Sequence, residues 1–535
     1  MIIKMFRSNF RERMDRLADS ISRNITPSLL LWTAFAVTVA TTLLSMFFLT
    51  DVYRDVGNVY ATGTRLFANG HFLEAMNPAL PILQILIGGV ISYTTALDPL
   101  KSLILTCGLF YAALIPPLYF LLKRFLTPVS AAWGVLLTVC APKLLRFSIS
   151  GTPESARDFF LVLLVYLIFR FFDKQTIGKT VLIGLALTGF TLSRSEGLLV
   201  SAALIPVLFC FLLRIHWNES WKSKLRTSVY YTFLTGFFFL LFLSPRMVQN
   251  YQITGYPTPD ARLDQFIHAY LTPSRPLRDL SDNKQNFATV KVEESQHKFS
   301  IAKQVKLVLK QSSRGAYELY LGFAALGLLS LLFAEQLRKR FLPGWQPTAG
   351  LRKFRKEYIL IFIIWLLHST VFFPLNISYR YYIFLIPLLM PFTMTGLELL
   401  WILIRRFHLQ IPAAAGTVIL LILQIQNGTV ILFDRNSDNR KAGEWIRDHF
   451  KKGKDLRIFN RNSYVVYWID GTIVNAYYEG PATRMECVKD FDVAIFETSR
   501  KDELRIFRSR KDVVELETPY AESVTVFRKT DHGQK

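Results

Sequence analysis

The residues with chemistry to offer are charged side chains next to apolar blocks. Asp55 follows the first block. Glu154 stands in GTPESARDFF, just ahead of another. Arg194 and Glu196 share the tight link LSRSEGLL. Arg246 follows a block in SPRMVQNYQITGYPTPD, and Arg380 precedes one in SYRYYIFLIPLLMP. Ionisable groups near the ends of membrane helices cost free energy unless solvated or paired, so the set points to a shared water-filled cavity. A carboxylate with an ordinary pKa of about 4 is ionised at neutral pH and can accept a proton within hydrogen-bond reach. An arginine offers a planar fork to phosphate oxygens. Each residue also has a plainer reading. Asp55 and Glu154 are also placed to cap helices. Arg194 and Glu196 are close enough to pair with each other. Arg246 can snorkel to headgroups, and Tyr379, Arg380, Tyr381 and Tyr382 also read as an interfacial aromatic belt.

The elements that must position these residues are membrane spans. Apolar residues make up 51% of the 535-residue chain and arrive in blocks rather than on alternating faces. The uncharged run from Ser28 to Thr50 is long enough for a hydrocarbon core of about 30 Å. The stretch before it carries Glu12, Asp15 and Asp19, and no small-x-small site follows, so it reads as a retained helix and not a cleaved signal. Further blocks fall at 100–122, 129–147, 157–172, 180–193, 197–214, 228–245, 314–334, 358–374, 381–403 and 411–433, which makes about eleven crossings. Residues 81–96 form a short block with Gly88-Gly89 at its middle, read as interfacial or re-entrant. The stretch from Asp55 to Phe72 has helical spacing of Val56, Tyr60, Gly63 and Phe67 and reads as a surface helix.

A formal charge of +23 would suggest nucleic acid in a soluble chain. Here Lys and Arg sit in short loops, where the positive-inside bias places them. The N-terminal tail (1–27) carries Lys4, Arg7, Arg11, Arg13, Arg16 and Arg23 and is expected in the cytoplasm. Basic clusters then follow every even-numbered helix, as at Lys123-Arg124 and Arg405-Arg406. With that threading, loops 51–99 and 246–313, all the charged residues above, and residues 434–535 lie outside. The four cysteines imply no disulfide framework, and no zinc-ligand spacing or nucleic-acid motif is present.

Several stretches, in order, resemble the GT-C glycosyltransferases, in particular the branch of protein O-mannosyltransferases and aminoarabinose transferases. RDVGNVYATGTRLFANGHF resembles the acidic first loop, and NPALPILQIL the Pro-rich start of the following helix. LALTGFTLSRSEGLL is similar to a Leu-x-Arg-Pro-Glu-Gly stretch. SPRMVQNYQITGYP resembles a segment just after a transmembrane helix, and SYRYYIFLIPLLMP a late Arg-Tyr…Pro…Pro helix. The similarity runs over about residues 50–430 (28–433 being the membrane domain). It implies a polyprenyl-phosphate-linked sugar donor, an extracytoplasmic acceptor and an inverting transfer. Asp55 is then the candidate base. Arg380, followed by Arg194 and Arg246, would meet the donor phosphate, and Glu154, Glu196, Tyr60 and Tyr381 would line the cavity. The sequence has Asp55-Val56 where the family has Asp-Glu, and Ser195 where it has Pro. A two-carboxylate metal site is therefore not expected, and a divalent cation stays open.

Residues 434–535 change character. Asn439 to Phe450 is amphipathic, and β-rich runs follow at Leu456–Asn460, Tyr464–Trp468, Asp492–Glu497, Val513–Leu516 and Ser523–Arg528. A small extracytoplasmic α/β domain is expected. The whole chain thus reads as a polytopic α-helical membrane protein of a bacterial inner membrane. A lipid or glycan flippase would instead place charges at the midplane or broken helices in paired halves. A non-catalytic assembly factor on the same scaffold is the other alternative.

Overall fold

The computed structural model describes residues 25–49, 56–76, 81–255, 257–260, 301–333, 336, 355–372, 378–406, 410–430, 437–450, 456–461, 465, 469, 472–473, 491–498, 501–520 and 524–530. Asp55, the stretches 77–80 and 261–300, and most of Tyr464–Trp468 lie outside the described residues.

Among the described residues, fifteen numbered helices form the first region. They are α1 Pro27–Phe48, α2 Thr62–Ala68, α3 Leu83–Thr95, α4 Pro99–Lys123, α5 Pro128–Val139, α6 Pro142–Ser148, α7 Glu154–Asp173 and α8 Ile177–Ser193. Then come α9 Glu196–Ile215, α10 Trp221–Thr254, α11 Ile301–Gly315, α12 Glu318–Leu332, α13 Arg355–Phe372, α14 Leu385–Arg406 and α15 Gln410–Thr429. Short π and 3-10 turns cover Val56–Ala61 and Tyr379–Tyr382, and the four-residue helix Phe72–Ala75 is left unnumbered. Among the described residues, five helices are long and apolar enough to cross a membrane, or up to seven if each bent pair is one span. α7 has 20 residues but carries charges at both ends. Starts are set by local chemistry. Thr26, Asp98 and Thr127 each accept from a backbone N–H of the first turn, and a proline follows each of them at the first helical position.

Several elements depart from the sequence reading. Block 129–147 breaks at Cys140-Ala141 ahead of Pro142, so α5 and α6 meet at 61°. α10 runs on past Pro245 to Thr254, so Arg246 lies inside a helix rather than after one. α11 meets α12 at 98°, with Tyr317 at φ 63 in the left-handed region between them. Lys143 holds this elbow: it donates to the Arg314 carbonyl, pairs with Glu318 at 3.1 Å, and lies 5.6 Å from the ring centroids of Tyr317 and Tyr379. Residues 56–68 are also less superficial than their pattern suggests. Val56, Tyr60 and Ala61 are buried, and α2 packs on α3. α3 has only 13 residues, about 20 Å of helix. It folds back antiparallel on α4 through Ala96, which is left-handed at φ 56.

Close crossings hold the bundle. In α12 and α14 a Cβ on Gly327 would meet the Phe392 carbonyl oxygen at 2.0 Å, and one on Gly396 the Phe323 oxygen at 2.1 Å. Only hydrogen fits at either position, as at small-residue helix contacts in membranes generally. At the end of α7 away from Glu154, Arg124 pairs with Asp173 at 2.6 Å and with buried Glu357 at 2.7 Å, joining α4, α7 and α13.

The C-terminal region begins with α16, Ser437–Phe450, followed by β1 Arg457–Arg461, β2 Thr472–Ile473, β3 Val493–Glu497, α17 Lys501–Arg508, β4 Val513–Leu516 and β5 Val524–Lys529. Sheet order is β2-β1-β3-β5-β4, with β1 parallel to β2 and β3 and the remaining pairs antiparallel. Neighbouring residues face opposite layers. Ile458, Val493, Ile495, Val524 and Val526 pack under α16, while Phe459, Ala494, Phe496 and Phe527 pack under α17. Cover on both faces is why these strands read as continuous apolar runs.

Candidate functional site

The site is built where the first residue of α7, the α8–α9 link, the last turn of α13 and the Tyr379–Tyr382 turn come together. Gly151, left-handed at φ 79, turns the chain into α7, and Pro153 precedes Glu154. Glu154 and Glu196 both open helices, where a negative charge faces the positive end of the helix dipole. The α8–α9 link is short because Gly197 lies against the Phe190 carbonyl, which a Cβ would approach to 2.5 Å. That link leaves Arg194 extended, with its side chain turned into the protein.

Arg194 is held by two carboxylates. Its Nε donates to Glu196 at 2.9 Å and its Nη1 to Glu154 at 3.4 Å. All three side chains are buried. Arg380 stands 3.9 Å from the same Glu154 oxygen but keeps 25% of its side chain exposed, against 1% for Glu154. The Tyr381 ring lies near both cations, 4.9 Å from the Arg194 guanidinium and 5.3 Å from that of Arg380, and it stacks on Phe372. Tyr60 is buried within electrostatic reach of Arg194. The other Glu154 oxygen and the Ser195 hydroxyl are buried without hydrogen-bond partners. Buried polar atoms are rarely left so, and a cluster of them at one site marks a place for polar ligand or water.

Glu154, Arg194, Glu196, Arg380, Tyr381 and Tyr60 are therefore brought together. Arg246 is engaged differently. It donates to the Met76 carbonyl at 3.3 Å and to Gln249 at 2.9 Å, and is attracted by Asp260. Sequence reasoning missed Arg157, Asp158 and His368. Arg157 is wholly buried, donates to Asp158 at 2.8 Å, and reaches the backbone carbonyls of Arg380 and Tyr381 at 3.2 and 3.3 Å. The available signal was spacing: Arg157 and Asp158 follow Glu154 by three and four residues, on one helix face. Among the described residues, no three His, Cys, Asp or Glu side chains converge as a metal-binding group.

Residues 85–248 match the family model of dolichyl-phosphate-mannose-protein mannosyltransferases. Among solved structures, ArnT from Cupriavidus metallidurans bound to undecaprenyl phosphate is similar with a TM-score of 0.57 at 12% identity, over 94% of this chain and 99% of that one. The same protein in its apo state gives 0.56 at 13%, over 92% and 97%. The Archaeoglobus fulgidus oligosaccharyltransferase, solved in complex with Zn and sulfate, gives 0.52 at 12%, over 94% and 73%. No curated protein matches the chain in sequence. The chain thus shares the fold of these membrane proteins, with the family match confined to α3 to α10, and is an integral multi-pass membrane protein.

Proposed function

We propose that the protein transfers a sugar from a polyprenyl-phosphate donor to an extracytoplasmic hydroxyl or amine on a lipid, glycan or protein, with inversion at the anomeric carbon. The observation that carries this reading is Arg380. It is a partly exposed cation at the rim of an otherwise buried cluster of charges, aimed by a turn that Arg157 grips through two carbonyls. Relatives of this fold solved with a polyprenyl phosphate support the donor class.

In the transfer, the acceptor oxygen or nitrogen bonds to the anomeric carbon while the bond from that carbon to the phosphate oxygen breaks. Asp55 takes the acceptor's proton. Negative charge develops on the leaving phosphate and is met by the Arg380 fork, whose paired bonds strengthen as that charge grows. Arg194 has a different role from the one its type suggests. Glu154 and Glu196 compensate it fully, so it holds the floor of the site and tunes the potential there. Arg246 acts as a secondary contact for the lipid phosphate. The membrane is a bacterial plasma membrane, with the N-terminus in the cytoplasm and the site and C-terminal domain outside.

The test is deletion of the gene and complementation with wild type or Asp55→Asn at matched membrane levels, followed by mass spectrometry of envelope glycans and lipids. A sugar-sized mass should vanish on deletion and return only with wild type. Full restoration by Asp55→Asn would remove Asp55 as the base. A deletion that alters no glycan would remove the transferase reading.

A further inference from the structure

His368 lies in the last turn of α13 and is wholly buried, yet neither ring nitrogen makes a well-aligned hydrogen bond, although the ring approaches the Tyr381 backbone. Its ring is boxed by aromatics, with centroids 4.4 Å from Phe384, 5.2 Å from Phe372 and 6.2 Å from Tyr382. The buried hydroxyls of Ser369, the next residue, and Tyr382 lie within reach of each other without good hydrogen-bond alignment. Ser312 of α11 and Ser369 both face the Tyr382 phenol, and Trp365 donates to Ser312 at 3.1 Å. Four buried polar atoms on three residues thus lack a well-aligned partner where α13 meets the Tyr379–Tyr382 turn.

Imidazole carries one donor and one acceptor when neutral, and each hydroxyl carries both. A buried donor or acceptor without a partner costs about 1–3 kcal/mol. A cluster of them in one place is what buried water resolves, each molecule making about three hydrogen bonds. An apolar box would have been filled by Phe or Leu at no such cost. Beside the cluster is the Tyr381 carbonyl, which His368 faces and which already accepts from Arg157.

We propose that His368 is a positioning residue. Together with Ser369 and Tyr382 it holds ordered water behind the Tyr379–Tyr382 turn, and that water fixes the turn that presents Arg380 to Glu154. Arg157 grips the turn directly, and His368 grips it through solvent. The proposal rests on the transferase reading for its kinetic consequence only.

The experiment compares His368→Phe and His368→Gln with the full-length protein in detergent, reading thermal unfolding and steady-state kinetics with a polyprenyl-phosphate sugar. Phe keeps the ring and removes both nitrogens, while Gln restores one donor and one acceptor. Phe should lower Tm, because water loses its anchor and Ser369 and Tyr382 keep no well-aligned partner. It should also lower kcat and kcat/KM for the lipid donor about tenfold, equivalent to about 1.4 kcal/mol of transition-state stabilisation, with KM within a factor of two. Gln should recover most of both. A Phe variant with equal or higher Tm means a dry box and overturns the proposal. So does a Phe defect that Gln fails to rescue, because the ring's packing then matters and its hydrogen bonds do not. If wild type shows no transfer with any donor, the transferase reading has failed. The Tm comparison still decides whether the box holds water.

Discussion

At the scale of residues, the two site arginines should separate cleanly. Arg194 is buried between two carboxylates, and Arg194→Ala would strand both inside the protein. Breaking a buried pair in this way costs about 3–5 kcal/mol. Folded protein recovered from membranes should fall, with turnover lost as a consequence. Arg380 is a quarter exposed and stands 3.9 Å from Glu154. Contacts of that kind contribute about 1 kcal/mol or less. Arg380→Ala should therefore lower Tm less than Arg194→Ala does and still lose transfer by at least about tenfold, the least expected for a charge-assisted contact made to the leaving phosphate. Size-exclusion profile, Tm and turnover on one preparation of each variant check both. Equal loss of Tm in the two would mean that Arg380 is structural as well. Of the site residues, Glu154, Arg194, Glu196 and Arg380 were legible as charged groups beside apolar blocks. Arg157 and Asp158 were legible only through their spacing from Glu154, and His368 was not legible, because one histidine in an apolar run is ordinary in any helix.

The helices make a prediction of their own. At the crossing of α12 with α14 the helix backbones approach at Gly327 and Gly396. Gly396→Val places a branched side chain where even a Cβ meets backbone oxygen at 2.1 Å. Backbone cannot rotate aside as a side chain does, so the helices must part, at a cost of about 1–3 kcal/mol or more. Lower Tm with unchanged KM in the surviving protein is expected, since neither helix supplies a charged residue to the site. At the opposite end, Glu357→Ala removes the buried partner that Arg124 shares with Asp173. It should destabilise by about 3 kcal/mol, whereas Asp173→Ala, at 44% exposure, should cost much less. A double-mutant cycle in thermal unfolding reads the difference. Caps and breaks of these helices were legible: Thr26-Pro27, Asp98-Pro99 and Thr127-Pro128 announce starts. Continuations such as α10 beyond Pro245 were not, because tertiary contacts can re-satisfy what a proline frees inside a membrane helix.

At the scale of the whole molecule, two regions with different physics share the chain. The first buries charge at both ends of its helices, and the second is a sheet covered by helices on both faces. We expect the C-terminal region to help hold the acceptor. Truncation after Val430 should leave membrane insertion and donor binding intact while reducing the rate and narrowing the acceptor range. Unchanged rate and range on a panel of acceptors would show that the region serves another purpose.

The sequence by itself determined what is local or periodic. Apolar block length marks most spans, and short β-rich apolar runs mark the strands at Val493 and Val524. Basic loops give the expected sidedness, and proline with a capping residue gives the helix starts. All of these follow from a few neighbouring residues and the free energy of taking them out of water. The tertiary structure alone decided which charges meet. Arg194 finds Glu154 across 40 positions, and Arg157 reaches the carbonyls of Arg380 and Tyr381 across more than 200. Whether a cation is enclosed between two carboxylates, as Arg194 is, or keeps a quarter of its side chain exposed, as Arg380 does, depends on differences of about an ångström at helix ends, because charge-assisted bonds fail beyond that range. Hydrophobic periodicity sets which face of a helix is buried, and it does not specify position that finely.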